Sequence, residues 1–136
     1  MNNTRFATVI HILTLLDQNP GVWLTSDWMA GSINVNPVIV RKELSVLQEE
    51  GLVITRKGKE GGSMLQRSGQ DILLVDIYKL VKNADVLGKR NRHTNPKCPV
   101  GKEINNKLAT LFDETDKAVF ASLAGKTLAE FSMQFV

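Results

Sequence analysis

Asn36 followed by Pro37 is the pair of residues that most constrains this chain. An asparagine side chain can accept from a free backbone N–H at the start of a helix. Proline at the first helical position loses nothing, because its missing N–H would have had no partner there. The pair predicts a helix start, and Gly51 supplies the stop. Between them Val40, Leu44 and Leu47 fall on one side, while Val38, Arg41, Lys42 and Ser45 fall on the other. A helix of this kind has a core to face and a basic surface to present.

Its neighbours narrow the architecture. Upstream, Thr25 or Ser26 can cap a short helix running to about Ser32, with Asp27 at its positive end. Residues Asn34 to Pro37 then form the turn between the two helices. Downstream, Leu52 to Arg56 is a β-branched run, Lys57 to Gly62 a basic glycine-rich tip, and Ser63 to Arg67 a returning strand. Two helices joined by a tight turn, the second basic near its start, form the helix-turn-helix pattern, whose second helix enters a major groove. The hairpin after it reads as a wing.

Elsewhere, Phe6, Val9, Ile10, Leu13 and Leu16 place one face of a first helix over residues 4–18, stopped by Asn19, Pro20 and Gly21. Val22 to Leu24 suits a short strand or extended packing segment. Trp23 and Trp28 read as core or helix-packing residues. Residues 73–82 read as a buried helix, and a basic loop follows, with Lys89, Arg90, Arg92 and His93. Val100, Ile104, Leu108, Leu111, Phe112, Val119 and Leu123 then sustain a stripe longer than one small domain easily buries, so it predicts a homodimer interface. Gly125 ends that helix, and Thr127 caps a last short one carrying Leu128, Phe131 and Phe135. The expected organisation is a winged helix-turn-helix over 1–82, a basic linker over 83–99, and a dimerisation helix with the short C-terminal helix over 100–136.

Composition excludes several classes. A hydrophobic share of 43% and a charged share of 23% fit an ordinary folded domain. No apolar run approaches the length of a membrane span, and the first residues do not read as a signal peptide, so a cytoplasmic location and no membrane partner are expected. Net charge is only +3, but four basic residues between Arg56 and Arg67 face Glu60 alone, and seven between Lys79 and Lys102 face Asp85 alone. Charge concentrated in this way suits a phosphate-contacting surface. Cys98 is the single cysteine, which leaves no intrachain disulfide and no multi-cysteine metal site. With His93, Lys97 and Lys102 near it, at the start of a helix, Cys98 is a candidate reactive thiol. His93 alone beside it is too little for a metal site, and no orienting acid is evident for nucleophilic catalysis, so no enzyme is expected.

The ordered set of Thr4, Arg5 and Phe6, Ser26, Asn36, Pro37, Val40 and Arg41, Glu50 to Val53, and Arg56, Lys57 and Gly58 with Gly61, Gly62 and Leu65 resembles one family. It is that of the winged-helix regulators typified by the iron-sulfur cluster regulator IscR, the nitric-oxide sensor NsrR and the cysteine regulator CymR. His93, Asn95, Pro96, Cys98, Pro99, Val100 and Gly101 resemble its YwnA-like, single-cysteine kind. The resemblance implies a mainly α fold with a small β-hairpin wing, and a dimeric transcriptional repressor on a palindromic double-stranded DNA operator. Cluster-binding members use three cysteines around this loop, so no iron-sulfur cofactor is expected with Cys98 alone. The expected DNA-contacting residues are Arg5, Ser26, Asn36, Pro37, Arg41, Lys42, Ser45, Arg56, Lys57 and Lys59. Two alternatives stay open: Arg41 and Lys42 salt-bridged to Glu43 and Glu49, and a winged-helix module that binds protein and not DNA.

Overall fold

The computed structural model describes residues 4–82 and 86–135. Residues 83–85, where the expected linker begins, lie outside it, as do residues 1–3 and 136. The chain divides into two units, Met1–Val81 with Gly125–Val136, and Lys82–Ala124.

In the first unit, helix α1 (Arg5–Gln18) is the axis on which the rest is built. Helices α2 (Ser26–Ile33), α3 (Pro37–Glu49), α4 (Leu74–Val81) and α6 (Leu128–Ser132) all pack on it, as does strand β2 (Gly62–Leu65). That crowding buries Thr8, Ile12 and Thr14 as well as the expected Val9, Ile10, Leu13 and Leu16. A one-sided helix was predicted; one packed from several directions needs more than one apolar face. Phe6 is half-buried, edge-on to Tyr78 with ring centroids 5.8 Å apart.

The helix-turn-helix forms as its caps dictate. Thr25 accepts from the Trp28 N–H and Asn36 from the Val38 N–H, at 3.1 and 2.9 Å, which orders the starts of α2 and α3. Val40, Leu44 and Leu47 are buried together with Met29 and Ala30 of α2, so α3 has the inward face that its sequence predicts. Trp28 corrects the expectation of a packed residue, for it is 52% exposed. It projects from the first turn of a short helix whose buried positions, Met29 and Ala30, lie elsewhere on its circumference.

Strand β1 (Val53–Arg56) pairs antiparallel with β2, Val53 opposite Leu65 and Arg56 opposite Gly62. Val22 to Leu24, expected as a short strand or an extended packing segment, makes one bridge, in which Leu24 and Ser63 exchange backbone hydrogen bonds of 3.0 and 2.8 Å. Gly62 is what permits it. A Cβ there would lie 2.8 Å from the Leu24 carbonyl oxygen, inside any real contact.

The C-terminal segment was grouped with the long helix in the sequence, and the structure groups it differently. The Leu74 N–H donates to the Lys126 carbonyl and the Leu128 N–H to the Ile72 carbonyl, both at 2.9 Å. Gln18 Nε2 donates to the carbonyl and hydroxyl of buried Ser132, and Leu128 is fully buried. Helix α6 therefore completes the core of the first unit.

The second unit is built on helix α5 (Pro99–Leu123). The described part of the loop before it, from residue 86, is tied to one side of this helix. The Val86 N–H donates to Asp116 and Arg90 Nη1 to the Asn105 carbonyl, while Asn105 Nδ2 donates to the Asn91 carbonyl. Arg90 lies 5.9 Å over the Phe112 ring and Lys82 4.9 Å over that of Phe120. The predicted dimer stripe is thereby split: Phe112 is buried within its own chain, whereas Val100 and Leu111 are 67% and 49% exposed. Ile104, Leu108, Val119 and Leu123 are half-buried. No helix among the described residues is long and apolar enough to cross a membrane.

Candidate nucleic-acid interface

Between the outer flank of α3 and the hairpin lies a groove of about 480 Å³. Arg41, Ser45 and Gln48 of α3 form one wall, Thr55 to Lys59 with Gly61 and Gly62 the other, and Thr25 and Ser26 close one end. The α3 residues recur at spacings of three and four, which sets them on one stripe. Gln48 belongs to that stripe and is absent from the sequence-derived candidates, although its place seven residues after Arg41 marks it. An arginine fork can meet guanine and a glutamine amide can meet adenine, so the wall carries two base-reading groups with a serine between them.

Arg41 is exposed, and its Nη1 lies 3.3 Å from the Ser26 hydroxyl and 3.8 Å from Asp27 Oδ1. This surface pair holds the guanidinium at the mouth of the groove at little energetic cost to its release. The alternative partners are not used as supposed: Glu43 is only 5% exposed and accepts from Arg5 Nε at 3.0 and 2.9 Å. Arg5, expected among the DNA-contacting residues, is thus held against a buried carboxylate and does not line the groove. Lys42 is exposed on the outer face of α3 but also lies off the groove wall, as do Asn36 and Pro37, which shape the helix start.

In the wing, Lys57 and Lys59 stand exposed at the tip. Arg56, also expected to contact DNA, is exposed and lines the groove. Its guanidinium donates through Nε and Nη2 to the Glu60 carbonyl and lies 4.4 Å over the Trp23 ring, so it also braces the loop. Gly61 allows the closure, since a Cβ there would strike the Arg56 carbonyl.

Cys98 is exposed and sits at the N-cap of α5 without bonding a backbone N–H through its side chain. Around it Asn95 builds the turn, accepting from the Lys97 N–H through Oδ1 and from the Cys98 N–H through its carbonyl. Thr94 donates to the Gly101 carbonyl at 2.6 Å, and a side chain at Gly101 would meet the Asn95 carbonyl oxygen at 2.6 Å. His93 is exposed on the same loop.

A basic helix flank and a basic hairpin tip that share one groove form a surface shaped for duplex DNA. Over residues 2–134 the chain matches the Rrf2 family, described as iron-dependent transcriptional regulators. This chain belongs to the Rrf2 family. It is 37% identical over 130 residues to the HTH-type transcriptional regulator YwnA of Bacillus subtilis, with 96% of each chain covered. A transcriptional regulator from Lactobacillus plantarum superposes with a TM-score of 0.84 at 26% identity, over 97% of this chain and 89% of that one. The cysteine regulator CymR of B. subtilis has the same fold, with a TM-score of 0.69 at 18% identity over 98% and 97% of the two chains.

This Rrf2 protein is a DNA-binding transcriptional regulator with a winged helix-turn-helix, and its relatives are regulators, not enzymes. The family's iron is not matched by the donors at hand. Among the described residues no three of His, Cys, Asp or Glu stand together to hold a metal ion, and the sequence has one thiol for a cluster that takes several.

Proposed function

We propose that this Rrf2 regulator is a homodimeric repressor that lays α3 and the wing of each copy on one half of a palindromic operator. The observation that carries the reading is the groove with Arg41, Ser45 and Gln48 facing Lys57 and Lys59. Base edges are read from the helix side, and phosphates are met from the wing side and from exposed Lys42. Ser26 at the start of α2 supports Arg41 from below. The second copy is proposed from α5, a 25-residue helix that leaves Val100 and Leu111 exposed after its own loop has covered Phe112.

Selection of bound duplexes from a random pool with the full-length protein tests both halves of the reading. The expected product is an inverted repeat whose half-sites are about one helical turn, or a multiple of it, apart. Recovery of no preferred sequence would refute operator recognition, and recovery of a single unrepeated half-site would refute the dimer.

Signal reception is assigned to exposed Cys98, with exposed His93 earlier on the same loop, in a protein that works without an iron-sulfur cluster. A mild oxidant is expected to modify Cys98 and release DNA, with iron absent from anaerobically purified protein. Release that persists in Cys98→Ser would end the sensor assignment.

A further inference from the structure

The apolar residues Val40, Leu44 and Leu47 of α3 turn inward and are buried, but Val38 is 59% exposed and Ile39, further round the helix, 45%. It is the second residue of the helix, near the middle of the outer face, with Arg41 and Lys42 on either side of it one turn later and Ser45 two turns later. A single exposed valine is ordinary on a protein surface. Its position is less so. The positive end of a helix favours a carboxylate in the first turn, and α3 has no acid there. A β-branched residue at an exposed helical position also lowers helix propensity slightly, so the helix itself gains nothing from valine. What the first turn of α3 offers is an apolar knob without negative charge, flanked by cations.

The N-terminal residues of a recognition helix reach base edges, and thymine is the base that presents a methyl group in the major groove. We propose that Val38 reads a thymine C5-methyl in the operator, a contact between two apolar groups that selects thymine over cytosine without a hydrogen bond. The inference rests on α3 being the recognition helix. It adds a specificity residue that lies off the groove wall and contributes no charge.

The test begins from the duplex enriched by the full-length protein. Each thymine is replaced in turn by deoxyuridine, which lacks only the methyl. At one thymine per half-site the affinity is expected to fall about 4-fold, the ratio corresponding to one buried methyl group. Val38→Ser should bind the thymine and uracil duplexes equally at that position, with an unchanged circular dichroism spectrum. If no sequence is enriched, the recognition-helix reading itself fails. If a site is enriched but no uracil replacement weakens binding, or Val38→Ser keeps the discrimination, the Val38 inference is overturned and the recognition helix stands. The uracil series uses the wild-type protein, so it gives its answer even where the variant fails to fold.

Discussion

Glu43 is the residue whose environment most changes the meaning of its neighbours. It follows Arg41 and Lys42 directly in the sequence of α3 and reads as a surface partner for them, yet the helix turns it inward, where it accepts from Arg5. Thirty-eight residues separate the two, so no local pattern could have paired them. Leaving that carboxylate alone in the core is costly, whereas replacing both charges with apolar groups need not be. Arg5→Met is expected to destabilise the protein by about 2 kcal/mol. Adding Glu43→Leu should recover most of the loss in urea unfolding. A single variant with an unshifted midpoint would show that the pair is not structural. Arg56 teaches the same lesson at the wing, where the contact with Trp23 and the Glu60 carbonyl makes it a brace. The two tryptophans look alike in sequence, and only Trp23 is half-covered; the other is exposed because α2 buries its opposite side.

At the scale of the element, α3 and the wing were legible because their signals are local. The Asn36 and Pro37 start, the Gly51 stop and the two faces follow from helical geometry. The β-branched run followed by a glycine-rich tip marks the hairpin. What local signals left out is the groove, which exists because Gly62 lets the hairpin close on Leu24 and so sets the tip opposite Arg41. The tip lysines are exposed and, in the proposed complex, meet phosphates and not bases. Replacing Lys57 and Lys59 together by alanine is therefore expected to reduce the slope of log affinity against log salt by about 1 per lysine in each copy engaged. The preferred sequence should stay the same. An unchanged slope in a titration from low to moderate salt would remove the wing from the contact surface.

For the whole molecule, the long helix is the element on which the proposed dimer rests. One side of α5 is covered by its own loop through Arg90, Asn91 and Val86, and Leu111 remains outside that cover. Leu111→Glu should leave the helical spectrum intact, since the site is exposed and glutamate is a good helix former. In light scattering the variant is expected to be monomeric, and its operator affinity should fall at least 10-fold as the second half-site is lost. A dimer of unchanged mass would exclude this face as the interface.

The sequence by itself determined the helices, the hairpin, the basic flank of α3 and the single thiol, because caps, periodicity and composition act over a few residues. Tertiary structure alone decided that Glu43 takes Arg5, that α6 returns to pack on α1, and that Phe112 is withdrawn from the exposed stripe of α5. Each of these depends on segments far apart along the chain meeting in space, and burial there turns a charge or a ring into a structural part.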